Sequence, residues 1–149
     1  MADVHDKKTR SYNMSRIRGK DTKPEILVRK FLHSKGLRYR LHVKNLPGKP
    51  DLVLKKYNTV IFIHGCFWHG HENCKYFKLP KTRTEWWKEK IEKNIERDDK
   101  NIFELKDRGW NVIVIWECEL KVSKKDETLK KLYFNLKEID DEKKKEYLI

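Results

Sequence analysis

The chain is 149 residues long and carries 36 Lys and Arg against 23 Asp and Glu, a formal net charge of +13. Charged residues make up 40% of it, yet five Trp, six Tyr and six Phe can build a core, which excludes global disorder. This length favours one domain over two. No apolar run approaches the roughly 20 residues of a membrane span, and the polar N-terminus does not resemble a signal peptide. We therefore expect a cytoplasmic protein.

The positive charge is concentrated near the N-terminus. Residues 1–50 contain 14 Lys and Arg against 4 Asp and Glu, whereas residues 51–149 contain 22 against 19. Such an excess of positive charge indicates a polyanionic partner, most often nucleic acid. The alternative is that the charge serves only to keep the protein soluble. Membrane-surface binding fits less well, because the basic stretch is broken by Pro24 and has no long apolar face. We interpret residues 1–20 as a flexible basic arm and residues 21–149 as a single domain.

The first half of the chain predicts one helix and three strands. Thr22 and Glu25 form a predicted capping box, which opens a helix that Gly36 can end. Alternating residues 38–43 predict a half-exposed strand. The apolar runs 51–54 and 59–63 predict a hairpin of core strands.

The second half predicts a long helix, a strand and a final helix. A second capping box at residues 82–85 predicts a helix that ends near Gly109. Residues 112–116 predict a buried strand, and residues 125–136 a helix followed by a charged tail. The order α-β-β-β-α-β-α favours an α/β fold with a mixed sheet flanked by helices.

Three cysteines are an odd number, which disfavours a disulfide framework and favours metal binding or catalysis. Cys66, His71 and Cys74 lie in one irregular segment, and Cys118 follows the last predicted strand. Three thiolates and an imidazole are a closed tetrahedral set for Zn2+, so we predict a structural zinc site. Ordinary buried thiols are the alternative, and Cys118 is included only for its position at a strand end.

Carboxylate and imidazole groups lie at the ends of the predicted strands. Asp51 begins one strand of the hairpin and His64 ends the other, so the two can meet. A carboxylate beside a strand-end carbonyl is an oxygen site suited to Mg2+. Taken alone, Asp51 could be a turn residue and His64 a core-edge histidine.

The long helix carries a carboxylate on its apolar face. Asp98 lies about 20° from both Ile91 and Leu105 on a helical wheel, whereas Asp99 points away. A core-facing carboxylate is costly unless it is paired. It is either a structural partner of a buried base or part of a site, where it could orient His69 as a general base.

Apolar side chains interrupt the polar segments at Phe67, Trp68 and Met14. Aromatic residues in a loop usually pack beneath it, and a methionine in a tail can be incidental. On a basic protein such residues can instead wedge between the base steps of DNA.

Together these residues resemble the very short patch repair endonucleases, which nick mismatched DNA. The matching segments cover residues 2 to about 120, and the His64 to His69 block is highly specific. They are Ala2 to Asp6, Met14, Asp21-Thr22, Leu46 to Gly48 with Pro50-Asp51, Val60 to Phe62, His64 to His69, Thr82 to Glu85, Lys93-Asn94 with Glu96 to Asp98, and Gly109 to Cys118.

The resemblance implies a restriction-endonuclease-like α/β fold with a structural zinc site. It implies Mg2+-dependent nicking of double-stranded DNA 5′ to the T of a T·G mismatch, where 5-methylcytosine has deaminated, which initiates very short patch repair. The partners would be mismatched DNA and possible mismatch-repair proteins, with no membrane, for a monomer associated with the bacterial nucleoid.

The resemblance also assigns roles to residues. Asp51 and the backbone carbonyl of Ile63, where the family usually has Thr, would bind Mg2+, and Glu25 would act through the water shell of the ion. His69 would be the general base, oriented by Asp98, and His64 would assist at the phosphate or leaving group. The remaining roles form three sets. Zn2+ would be held by Cys66, His71, Cys74 and Cys118; Met14, Phe67 and Trp68 would intercalate; and Arg16, Arg18, Lys20 and Asn94 would support DNA binding.

Two other functions stay open at this point: a related nuclease of broader or restriction-linked specificity, and a non-catalytic zinc module that binds DNA. A zinc deaminase is disfavoured, because His71-Glu72 does not match the His-x-Glu motif of that class and no Pro-Cys-x-x-Cys follows.

Overall fold

The computed structural model describes residues 21–147. Three helices and four strands lie in that range, in the predicted order. Their bounds are α1 Lys23–Ser34, β1 Arg40–Leu41, β2 Leu52–Leu54, β3 Thr59–His64, α2 Thr84–Asp107, β4 Asn111–Trp116 and α3 Lys125–Tyr147. The predicted arm, with Met14, Arg16, Arg18 and Lys20, lies outside the described residues.

The strands form one mixed sheet in the order β1-β2-β3-β4. The predicted hairpin is confirmed, because β2 and β3 are antiparallel with Leu52 opposite Ile61. Strand β4 runs parallel to β3, with Ile63 opposite Ile115. A parallel pair requires a long crossover, which the loop after β3 and helix α2 provide.

The two faces of the sheet have separate apolar cores. Alternate side chains on β3 point to opposite faces, as the period of a strand requires. Ile61 packs with Val28 and Leu32 of α1 and with Leu132 of α3. Phe62 and its neighbours on the other face pack with Leu105 of α2. The sheet is therefore covered by α1 and α3 on one side and by α2 on the other.

The two predicted capping boxes have different outcomes. The first is confirmed: Thr22 caps α1, and Glu25 closes the reciprocal contact. The second is wrong. Helix α2 begins after Arg83, which has φ 54° and makes no capping contact, while the Thr84 hydroxyl donates back to the carbonyl of Pro80 at 2.8 Å. The predicted cap, Thr82, therefore lies one residue before the N-cap position, and Thr84 holds the incoming loop.

Three element predictions are also corrected. Strand β1 is only two residues long. Strand β4 was expected to be buried, but it lies at the sheet edge, and Ile115 is its only fully buried residue. The predicted charged tail continues α3 to Tyr147, because its Glu and Lys residues are strong helix formers. Within residues 21–147, no helix has the length and apolar character needed to cross a membrane.

Replacing Gly70 by Ala should destabilise the fold by about 2–3 kcal/mol. Gly70 has φ +60°, and an added Cβ would lie 2.7 Å from Ile95 Cδ1 and 2.8 Å from Ile91 Cγ2. Gly36→Ala is the matched control, because Gly36 has φ +72° but no heavy atom within 4 Å of the added Cβ. Urea unfolding should show a larger loss for Gly70→Ala. Equal losses would mean that the contact with α2 is unimportant.

Candidate active site

A cavity of about 750 Å³ opens where β3 and β4 end and β2 begins. Its walls come from the N-terminus of α1, the turn before β2, the end of β3 and the middle of α2. They bring together five of the residues singled out in the sequence: Glu25, Asp51, His64, His69 and Asp98. Phe67 and Trp68 line the same cavity.

Asp51 is fixed to the end of β3. Its Oδ2 accepts a hydrogen bond from the backbone N–H of Ile63 at 2.7 Å. Burial raises the pKa of Asp51 to about 6; the hydrogen bond from Ile63 opposes this rise, and the neighbouring Glu25 carboxylate adds to it. The site therefore holds a carboxylate in surroundings that disfavour its negative charge, and a cation bound beside it would favour the charged form.

Glu25 is held by the cap of α1. Its carboxylate accepts from the backbone N–H of Asp21 at 2.6 Å and of Thr22 at 3.3 Å. The side chain is buried and faces the cavity that Asp51 also lines. A capping box here is thus also a means of placing an acidic group at the site.

His69 and Asp98 form a close pair. Nδ1 of His69 lies 2.6 Å from Oδ2 of Asp98. Because an ionised carboxylate can only accept, Nδ1 is the donor and Nε2 is left to accept a proton. Asp98 is half-buried on α2, whereas Asp99 is exposed, as the wheel predicted.

His64 stacks on His69, with ring centroids 3.8 Å apart and planes 3° apart. Burial lowers the pKa of His64 to about 4, and a charge on His69 lowers it further, because two stacked imidazolium ions would repel each other. At neutral pH His64 is therefore uncharged and offers a hydrogen bond, not a positive charge.

The four residues of the predicted zinc set form one cluster. The side-chain donors of Cys66, His71, Cys74 and Cys118 all lie within 4.8 Å of one another, close enough to hold a metal ion. The ring of His71 also stacks on Trp116, with centroids 4.0 Å apart. The cluster ties the loop after β3 to the turn after β4, and that loop carries His69.

An aromatic surface borders the cavity. Phe67 and Trp68 contact each other, and both contact Trp87 of α2. Trp68 is 36% exposed and Trp86 is 45% exposed. Sequence reasoning missed Trp86 and Trp87, although a Trp pair at the start of a helix was a visible signal. Asn94, expected to support DNA binding, donates from Nδ2 to the carbonyl of Trp68 at 2.9 Å and so fixes this loop.

A second missed group lies behind the carboxylates. Arg29 donates to Asp21 Oδ1 at 2.6 Å and to Glu25 Oε2 at 3.3 Å, and it lies 3.0 Å from His42 Nε2. Nothing in the local sequence pattern links these positions, because Arg29 and His42 meet only once α1 packs beside β1.

Asp51→Asn should raise the free energy of unfolding at pH 8 by about 2 kcal/mol without added Mg2+, and should have little effect near pH 3.5. Folding raises the pKa of Asp51 from 3.8 to about 6. The stabilisation linked to the raised pKa of Asp51 is fully present below pH 3.8 and is lost as the pH increases through 6. Folding lowers the pKa of His64, so its effect on stability changes with pH in the opposite direction over this range. The measurement is therefore the difference in unfolding free energy between variant and parent, from urea unfolding at pH 3.5 to 8. Asp141→Asn, at an exposed position of α3, is the control. A difference that does not change with pH would contradict the assigned environment of Asp51.

Comparison with known proteins shows which family the chain resembles. The family model described as DNA mismatch endonuclease Vsr matches residues 2–75. The DNA mismatch endonuclease Vsr of Escherichia coli K12 is 51% identical over 87% of this chain and 83% of its own length. The type II nicking enzyme V.NmeAIP of Neisseria meningitidis serogroup A is 56% identical over 81% of this chain and 86% of its own length. V.XorIIP, a type II nicking enzyme of Xanthomonas oryzae, is 48% identical over 80% of this chain and 88% of its own length. These relationships confirm the resemblance drawn from the sequence: the chain belongs to the Vsr family of DNA mismatch endonucleases.

Proposed function

We propose that the chain nicks double-stranded DNA 5′ to the T of a T·G mismatch left by deamination of 5-methylcytosine, in a Mg2+-dependent reaction that starts very short patch repair. Family membership supports DNA as the substrate and endonuclease chemistry as the activity. The observation that carries the rest is the shared cavity, which joins a carboxylate pair, a histidine–aspartate pair and an exposed aromatic surface. The mixed sheet also agrees with a restriction-endonuclease-like core.

The residues around Asp51 fit Mg2+. The N–H and C=O of one strand residue point to the same side, and the N–H of Ile63 points to Asp51. The Ile63 carbonyl thus faces the same side as the Asp51 carboxylate, and two oxygens of this kind suit a hard cation. The Ile63 side chain packs on the core, so a backbone ligand does not depend on the usual Thr hydroxyl. Glu25 would hold the water shell. When bound, the ion would neutralise charge at the scissile phosphate.

His69 is the proposed general base. Asp98 holds Nδ1, so Nε2 of His69 can take the proton of the attacking water. The Asp98 carboxylate then stabilises the imidazolium that forms. His64 is stacked on that ring and would donate a hydrogen bond to the phosphate or the leaving oxygen. The low pKa of His64 helps here, because an uncharged neighbour leaves His69 free to become protonated.

The cysteine cluster fits Zn2+ by its donor set. Three thiolates and one imidazole would fill all four positions of a tetrahedral Zn2+ ion and leave none for water, so the site would be structural. Its role would be to hold the segment that carries Phe67, Trp68 and His69 in place. DNA would then meet a rigid aromatic surface next to the catalytic pocket.

Mismatch recognition is proposed to use that aromatic surface. Trp68 and Phe67, with Met14 of the arm, would insert beside the mismatch, and Trp86 extends the same exposed surface. A T·G pair costs less to unstack than a matched pair, so a wedge favours mismatched DNA. The positive charge of the chain would bind phosphates without regard to sequence.

Asp51→Ala should reduce Mg2+-dependent nicking of a T·G duplex by at least about 100-fold, because the metal-binding carboxylate is lost. Binding to the duplex should stay within about threefold, since phosphate contacts supply the affinity. The measurement is a gel assay on end-labelled T·G and matched duplexes, with the nick position mapped. Asp99→Ala, on the exposed face of α2, is the control. Nicking by Asp51→Ala would refute the metal site, equal nicking of both duplexes would indicate a broader nuclease, and no nicking by the parent chain with any metal would indicate a binding module.

Elemental analysis should find about one zinc per chain, and His71→Ala should lose it and unfold at a lower temperature. His33→Ala, at an exposed position of α1, should keep the zinc and the melting temperature. A folded parent chain without zinc would remove this part of the proposal and leave three ordinary thiols and an imidazole, of which only Cys66 is fully buried.

Trp68→Ala should reduce the preference for T·G over matched DNA by about 1–3 kcal/mol, the contribution typical of one stacked aromatic. Competition binding with the two duplexes measures it. The matched control is Phe103→Ala, because Phe103 is 72% exposed on α2 and does not line the cavity. An unchanged preference would show that Trp68 only packs beneath the loop.

A further inference from the structure

A fixed positive charge lies directly behind the carboxylate pair of the site. Three side chains have potential metal-ligand atoms within 4.8 Å of one another, a spacing that could hold a metal ion: those of Asp21, Glu25 and His42. The Arg29 guanidinium already occupies this cluster, at 2.6 Å from Asp21, 3.3 Å from Glu25 and 3.0 Å from His42. The cluster is therefore built around an internal cation and is not a second metal site.

The contacts of Arg29 are directional. A guanidinium has only donors, so the His42 Nε2 accepts. All three contacts are made by the Nη2 atom of Arg29, whose two N–H bonds are shared among the three acceptors. The Arg29 hydrogen bond to Asp21 also holds the pKa of the Asp21 carboxyl below its usual range. The Arg29 side chain is 15% exposed, so water competes weakly for these bonds.

The network reaches both members of the acidic pair. Glu25 is bound directly. Asp51 is reached through the backbone, because the His42 N–H donates to the Asp51 carbonyl at 3.2 Å. Asp21 and His42 both have left-handed backbones, with φ 57° and 48°. Non-glycine residues keep this conformation only when surrounding contacts hold them there, and here they share Arg29 as a partner.

We propose that Arg29 is a positioning residue for the nicking reaction: together with His42 it holds Glu25 and Asp51 in the arrangement that the reaction needs. This inference rests on the proposed function of the same site. Arg29 acts from behind the carboxylates and does not contact DNA. The planar guanidinium presents Nη2 to the three acceptors in a fixed orientation, whereas a Lys ammonium on its flexible stem would hold them less precisely.

The first experiment compares Arg29→Gln, Arg29→Lys and Lys30→Gln. Lys30 is the matched control, because it is the next residue of α1, is exposed and loses the same charge. With enzyme in excess over a T·G duplex, we expect Arg29→Gln to nick about 10- to 100-fold more slowly, Arg29→Lys to recover only part of the rate, and Lys30→Gln to match the parent. DNA affinity of Arg29→Gln should stay within about threefold. An unchanged rate, full recovery by Lys, or a loss of affinity equal to the loss of rate would overturn the proposal.

A double variant tests whether Arg29 acts through Glu25. Because part of the effect of Arg29 would pass through Glu25, the rate loss of the Glu25→Gln, Arg29→Gln double variant should be smaller than the product of the two single losses. A loss equal to that product would mean that Arg29 acts independently of Glu25, which contradicts the proposal. Circular dichroism melts establish that each compared variant is folded.

Calorimetric titration with Mn2+ supplies a test that does not depend on nicking. Removing a positive charge next to two carboxylates should by itself tighten cation binding, whereas loss of positioning should weaken it. We expect Arg29→Gln to bind Mn2+ several-fold more weakly than the parent and Lys30→Gln to be unchanged. Tighter or equal binding would overturn the inference. Failure of the parent chain to nick T·G DNA would instead refute the proposed function, so the two failures are distinguishable.

Discussion

The pairing register of β2 and β3 is the constraint on which the site depends. With Leu52 opposite Ile61, the residue before β2 lies beside the end of β3, and the Asp51 carboxylate binds the Ile63 backbone. A shift of one residue would turn every side chain of the strand to the other face and remove Asp51 from the cavity. The two apolar cores fix the register, because Ile61 and Phe62 fill opposite faces of the sheet.

From the end of β3 the chain enters a loop that serves two purposes. Two of its residues, Cys66 and His71, belong to the cysteine cluster that could hold a metal ion. His69 lies between them in the chain and forms a hydrogen bond with Asp98 of α2. Glycine is favoured at position 70, because its φ is +60° and an added Cβ would press on the side chains of Ile91 and Ile95 of α2. The same helix thus packs on the sheet, orients the proposed base and contacts the aromatic surface through Trp87. Rigidity of this loop would matter for the proposed insertion into DNA, because a wedge must not yield when it unstacks bases.

Sequence reasoning predicted what local pattern and chemistry determine. The hairpin followed from apolar runs, and the inward position of Asp98 followed from helical periodicity. It could not predict the Arg29 network, because Arg29 and His42 come from different elements and meet only through packing. It placed a second capping box at residues 82–85, where the Thr84 hydroxyl instead binds the Pro80 carbonyl. It expected β4 to be buried, because an apolar run does not tell an edge strand from a central one. Residues 1–20 lie outside the described range, so the roles of Met14 and the arm stay predictions.

The central claim is that Asp51 and the Ile63 carbonyl hold the catalytic cation while the His69–Asp98 pair stays free to act as a base. The competing arrangement is concrete, because His64, His69 and Asp98 also offer donors within 4.8 Å of one another. A crystal structure of the chain with Mn2+, using anomalous scattering to locate the ion, separates the two most directly. The account predicts a Mn2+ peak bound by the Asp51 carboxylate and the Ile63 carbonyl. A peak coordinated by His69 and Asp98 would contradict it, since a metal-bound imidazole cannot take the proton from water.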